Sequence, residues 1–195
     1  MKHFVFFLLG FLPVFLTAQT AKTWNVDAVH SSVKFSVSHL VISETEGNFK
    51  TFSGSLTHTK EDLTDAKVNF SVDIASINTD NSMRDEHLKG DDFFKAAEYP
   101  KMTFESISMV KKDKNKYALT GNLTLRGVTK KVTFDVVYGG TAKDPYGNTK
   151  AGFKATGKIN RFDYGLKWNV LTEAGGAAVG SEVSITLNLE LALAK

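Results

Sequence analysis

Ser32-Val33-Lys34-Phe35-Ser36-Val37-Ser38-His39 alternates without a break, with Val33, Phe35, Val37 and His39 on one side of an extended chain and Ser32, Lys34, Ser36 and Ser38 on the other. A side-chain period of two belongs to a strand with one buried and one wet face. The same rhythm returns at Val68, Phe70, Val72 and Ile74, at Val132, Phe134, Val136 and Tyr138, and from Val183 through Ile185, Leu187 and Leu189 to Leu191. Many such strands, with no long helix to cover them, predict a sheet closed on itself: an all-β antiparallel barrel of about eight strands.

Working outward from that stretch, strands are expected over 24–28, 32–42, 49–58, 66–75, 102–110, 117–125, 131–138, 151–159 and 182–193. Met102 and Phe104 share one phase and Ile107 and Met109 the other, a slip that predicts a bulge near Glu105-Ser106. Turn chemistry separates the strands at Lys112-Asp113-Lys114-Asn115, Arg126-Gly127-Val128-Thr129 and Asp144-Pro145-Tyr146-Gly147-Asn148. Two segments break the rhythm. In 78–100, Thr79 or Asp80 can cap a short helix running from Met83 to Lys89 and ended by Gly90, and Asp91 or Asp92 can open a turn carrying Phe93 and Phe94. A short helical segment is therefore expected near 79–97. The second break, Trp168 to Gly180, is rich in Gly and Ala. Long connections of this kind either shape a binding mouth or plug a barrel end.

The 195 residues suit one domain once the N-terminus is set aside. Residues 1–18 read as a secretory signal peptide: Lys2 and His3, an apolar run from Phe4 to Leu16, then Thr17 and Ala18, with cleavage expected after Ala18. The run is short for a membrane helix, which takes about 20 apolar residues, although an uncleaved anchor is the alternative. The domain is then 19–195. No Cys occurs, so no lipid-modified Cys follows the cleavage point and the fold must rest on its core alone. The expected location is the periplasm or the medium outside a bacterial envelope, with the signal peptide removed. The net charge is only +3 and the basic residues are scattered apart from short groups such as Lys130-Lys131, which argues against a nucleic-acid partner.

An eight-stranded barrel either packs its interior with side chains or holds one slender ligand. Gly54, Gly121 and Gly157 fall on the inward phase, where a residue without a side chain bends the strand or leaves room. A hollow barrel is the preferred reading, with Phe35, Val37, Phe70, Val72, Leu123, Phe134, Phe153 and Leu187 expected to line an apolar tunnel. Each buried CH₂ is worth about 0.8 kcal/mol, so a long tail can bind without polar contacts. At the mouth, the candidates are His39, Arg84, His87, Phe93, Phe94 and Arg161. Arg84 and His87 share a helix face and can meet an anionic or quinone head group; alternatively Arg84 pairs with Asp85, Asp91 or Asp92. An inward Arg161 needs a partner, for which Asp27 and Asp163 are candidates.

No catalytic residues are assigned. Ser31 follows His30, but neighbours on a strand point to opposite faces and make no nucleophile and base pair. His30, His39, His58 and His87 show no metal-binding spacing, and no phosphate loop or dinucleotide fingerprint is present. No metal and no cofactor is expected.

Several stretches resemble the YceI family. Trp24-Asn25-Val26-Asp27 with His30-Ser31, Val33, Phe35 and His39 resembles its opening. Ser76-Ile77-Asn78-Thr79, Arg84-Asp85-Glu86-His87-Leu88, Asp92-Phe93-Phe94, Tyr99-Pro100 and Thr103-Phe104 follow the family's order and spacing. The stretch from Gly121 to Lys130 and Arg161-Phe162-Asp163-Tyr164-Gly165-Leu166 resemble two later elements, so the likeness spans 23–193. The resemblance implies a lipocalin-like barrel, commonly exported to the periplasm. It would carry a polyisoprenoid or related amphiphile, such as a prenyl quinone, prenyl pyrophosphate, fatty acid or amide, for transport, storage or sequestration. The alternative is a filled barrel acting through its surface on an envelope stress or redox partner. Transient membrane contact and a homodimer both stay open.

Overall fold

The alternating segments form strands wherever one face can be buried, and turn residues with positive φ join them. The structure, a computed structural model, describes residues 20–170 and 176–195. The expected signal peptide, 1–18, and part of the 168–180 connection lie outside the described residues.

The strands are β1 (Lys22–Val26), β2 (Ser32–His39), β3 (Ser43–Phe49), β4 (Phe52–His58), β5 (Lys67–Asp73), β6 (Ile77–Asn78), β7 (Lys101–Lys111), β8 (Lys116–Leu125), β9 (Val128–Lys143), β10 (Thr149–Asn160) and β11 (Val179–Leu193), with one helix, α1 (Ser82–Lys89). The order β1-β4-β5-β7-β8-β9-β10-β11 is antiparallel throughout and closes where Leu191–Leu193 of β11 pairs with Trp24–Val26 of β1. This is a ring of eight strands. The first part of β11 pairs instead with β2, from which β3 and β6 extend the wall at one end. A 3-10 turn, Ala28–His30, moves the chain from β1 to β2, and the Asp27 carboxylate caps it by accepting the Val29 N–H.

The local chemistry follows the turns. Arg126 and Gly127 both have positive φ, 49° and 71°, which makes the tight reversal between β8 and β9. The expected bulge is present: the β7–β8 register shifts between Ser106 and Ser108, and the Ser106 hydroxyl accepts the Val68 N–H at 2.7 Å. Beyond the bulge Met109 is buried but Ile107 faces solvent.

Three local expectations are corrected. The strand expected over 32–42 stops at His39, because Leu40 and Val41 turn the chain with φ of 53° and 66°. The expected strand 49–58 is two: Phe49 ends β3 and Phe52 begins β4. β3 escaped notice because its Ser-Glu-Thr-Glu-Gly-Asn-Phe sequence flanks the ring and buries only Gly47 and Phe49. The helix cap is Asn81, whose side chain accepts the Arg84 N–H at 3.0 Å, and not Thr79 or Asp80.

The inward glycines do not leave empty space where they stand. A Cβ at Gly54 would fall 2.5 Å from the Phe70 ring, and one at Gly157 would fall 2.6 Å from the Phe134 ring. Gly47 and Gly121 are covered in the same way by Phe35 and Phe104. Each ring lies over a glycine of the neighbouring strand and takes up the room that the missing side chain leaves.

One end is closed. Trp24, Leu63, Met109 and Tyr117 are buried there. The Trp24 indole N–H donates to His58 Nε2 at 3.0 Å, and His58 Nδ1 lies 2.8 Å from the Lys60 carbonyl, which places its proton on Nδ1. The loop after β4 is held by Asp65, whose carboxylate accepts from the Thr59 hydroxyl and from the Thr59 and Lys60 N–H groups.

Candidate functional site

Inside the ring the apolar faces of the strands leave a series of adjoining narrow spaces. The uppermost lies between Val33, Phe35, Val37, Phe49, Phe94, Leu125, Ile159 and Ile185, under Leu88 of α1. Below it a second space is bounded by Phe70, Val72, Phe104, Leu123, Phe134 and Leu187. A third reaches toward the closed end between Leu56, Met109, Val136, Phe153 and Leu191. Successive spaces share wall residues: Val33, Met102 and Ile185 between the first two, and Val68, Phe70, Leu119, Ala155 and Leu189 between the last two. The walls are almost wholly apolar, so the interior offers no partner for a polar group and is suited to hydrocarbon.

The eight residues expected to line a tunnel all stand on these walls. Phe35 and Val37 are in the upper space, Val72, Leu123, Phe134 and Leu187 in the middle one, Phe153 in the lowest, and Phe70 in the two deeper ones. Val33, Met102 and Ile185 complete the wall. Ile185 and Val33 were legible as inward strand positions, whereas Met102 carried no signal that set it apart.

Beside α1 the upper space adjoins a recess lined by Ser38, His39, Thr45, Arg84, His87, Phe93 and Trp168. Four of the six polar or aromatic mouth candidates meet here. His39 is exposed at the rim, two residues above Val37. The His87 ring stands edge-on to Phe93 at 5.1 Å and to Trp168 at 5.2 Å, and its Nε2 lies 3.3 Å from Asp92. Phe94 sits one level deeper, edge-on to Phe49. Trp168 opens the Gly/Ala-rich connection that the sequence offered as a possible mouth, and it joins the individual mouth candidates.

Arg84 does not pair with Asp85, Asp91 or Asp92. Its guanidinium donates to the Thr79 hydroxyl at 2.8 Å and to the Thr79 carbonyl at 2.7 Å. Asp85 accepts from the same hydroxyl and from the Thr79 N–H, so Thr79 locks α1 to the end of β6. This leaves the Arg84 charge at the mouth without a carboxylate across it among the described residues.

Arg161 is buried, but neither Asp27 nor Asp163 is its partner. Its guanidinium donates to four backbone carbonyls, those of Leu166, Trp168, Val179 and Gly180. Burial pushes its pKa down from the usual guanidinium value, yet four carbonyl dipoles stabilise the cation in place. Arg161 thereby ties both arms of the 168–180 connection to the barrel rim.

Asp27 belongs to the opposite rim. The Lys150 ammonium at 2.6 Å, and then His30, hold its carboxyl far below the usual carboxylate range. Glu190 lies 3.1 Å from the same ammonium. Asp27, His30 and Glu190 bring their ligand atoms within 4.8 Å of one another. The Lys150 ammonium already lies against both carboxylates, and its charge opposes a metal cation there.

Comparison with known proteins places this architecture. The family model for the YceI-like domain matches residues 24–191. A UPF0312 protein of Staphylococcus epidermidis is 37% identical over 171 residues, covering 87% of this chain and 97% of the relative. Among solved structures, Burkholderia cenocepacia BcnA superposes with a TM-score of 0.71 at 28% identity, covering 85% of this chain and 98% of BcnA. A Campylobacter jejuni YceI protein gives 0.64 at 38% identity, covering 81% and 90%. A polyisoprenoid binding domain from Saccharophagus degradans shares the fold with a TM-score of 0.65 at 17% identity, covering 88% and 98%. With the family model matched across the whole barrel and a relative so similar along nearly its full length, this chain belongs to the YceI-like family.

Proposed function

We propose that the protein is a carrier that encloses one long-chain amphiphile, of the polyisoprenoid or acyl type, tail down in the barrel. The observation that carries this reading is the succession of apolar spaces, closed at the Trp24 end and open beside α1. These apolar spaces support the carrier over the alternative, a filled barrel acting only through its surface. At about 0.8 kcal/mol per buried CH₂, a tail reaching the second space gains enough to bind tightly without interior polar contacts. The head group stays at the mouth, where Arg84, His39 and His87 are the groups able to meet an anion or a quinone oxygen.

Binding, and not catalysis, is the role these residues suit, since the walls present hydrocarbon and the titratable groups gather at the mouth or the far rim. The S. degradans neighbour is described as polyisoprenoid-binding; at 17% identity it lends the architecture alone. We place the carrier outside the cytoplasm on the strength of the 1–18 segment, which reads as a signal peptide. Transient membrane contact is supported by Val41 and Ile42, which are 72% and 85% exposed at the hairpin tip next to His39.

Trp168 supplies a reporter. Titration of delipidated protein with a prenyl monophosphate should change the tryptophan emission saturably, and the ligand should co-elute with the folded protein on gel filtration. Folded protein that shows neither effect with prenyl or acyl amphiphiles would overturn the carrier reading.

A further inference from the structure

Among the described residues Val33, Met102 and Ile185 line both the upper and the middle space, so the passage from one to the other runs past these three side chains. β7 and β11 stand four places apart in the ring of eight, on opposite sides of the lumen. Met102 on β7 therefore faces Ile185 on β11 across the barrel, with Val33 beside Ile185 on the adjoining β2. The two sides of this passage differ in stiffness. Ile and Val are β-branched and held in one or two rotamers, and Val33 is fully packed. Met is unbranched, with three rotatable bonds and a soft thioether that adapts to what it touches. The phenylalanines next in depth cannot serve as the moving part, because Phe70, Phe104 and Phe134 are each seated over a glycine in the wall.

We propose that Met102 is the gate of the tunnel and sets how long a tail the protein accepts. A short tail ends in the upper space and leaves the thioether across the passage. A longer tail must swing the Met102 side chain toward the wall, and then gains the middle and lower spaces. This inference rests on the carrier reading and adds to it a chain-length selectivity governed by one residue.

The test is the slope of affinity against tail length, measured by calorimetric titration of delipidated protein with prenyl monophosphates from geranyl through geranylgeranyl to a longer polyprenyl chain. For the native sequence, affinity is expected to climb with each added isoprene unit past the chain that fills the upper space. Met102→Trp, which fills the passage, should abolish that climb and weaken the longest ligand by about tenfold or more, the worth of about two buried CH₂ groups. Met102→Ala, which opens the passage, should steepen it. Met102→Phe serves if the Trp variant fails to fold, as judged by its thermal transition. Native protein that binds and variants that keep the native slope would overturn the gate and leave the carrier reading standing. Native protein that binds no chain of any length would overturn both.

Discussion

Arg161 shows how much one residue holds at the mouth. Replacing it with Leu leaves four carbonyls at the roots of the 168–180 connection without their donor. Each buried polar group stripped of its partner costs about 1–3 kcal/mol, partly relieved by water at a rim. Arg161→Leu is therefore expected to destabilise the protein by about 3 kcal/mol or more in urea unfolding. Arg161→Lys should recover only part of this, since an ammonium cannot reproduce the planar fork. The need for a partner was legible in the sequence as soon as Arg161 fell on an inward phase. Its identity was not, because sequence reasoning searches for side-chain carboxylates while the loop folds its own carbonyls around the cation. The inward glycines teach a similar lesson. Their positions were readable from the period of two, but the rings of Phe70, Phe104 and Phe134 over them depend on neighbours in other strands.

At the scale of elements, the β2–β3 hairpin carries strain that its sequence did not advertise. Leu40 and Val41 hold φ of 53° and 66° without being Gly or Asn. Left-handed conformations cost such residues about 1–2 kcal/mol each. The double change Leu40→Asn and Val41→Gly, which supplies the usual residues of this turn, should raise stability by about 1–2 kcal/mol in the same unfolding experiment. An unchanged or lower stability would mean that the exposed Leu and Val side chains contribute more than the turn loses. The loop after β4 gives a pH signature. Hydrogen bonds from the Thr59 side chain foremost, and from the Thr59 and Lys60 amides, lower the Asp65 pKa to about 2, against about 3.9 for a free Asp. A depressed carboxylate stabilises the fold above its unfolded pKa, and that contribution is lost as pH falls through the folded value. The unfolding midpoint should therefore decline between about pH 4 and pH 2, and decline less steeply in Asp65→Asn. Strands with apolar alternation were placed from sequence to within a few residues. β3 was missed because its inward positions, Thr45, Gly47 and Phe49, include a polar residue and a glycine and so show no apolar alternation, and the helix cap was displaced by one or two residues because Thr79 is used to anchor Asp85 and Arg84.

For the whole molecule, closure of the ring decides what the protein can do. Eight strands close a ring around a succession of apolar spaces, and the loop after β4 covers one end while α1 and Trp168 border the other. The barrel class, and which strand residues face its interior, were readable from period and phase alone. Which inward residues stand across the lumen from one another, Met102 and Ile185 among them, was not, since that depends on which strands stand opposite each other. The central claim is that this interior holds a lipid tail, and native mass spectrometry of protein purified from its own envelope, with the released ligand identified in parallel, tests it most directly. The account predicts one prenyl or acyl amphiphile per chain, or one bound after incubation with such lipids. A folded protein that stays empty in both conditions would contradict it.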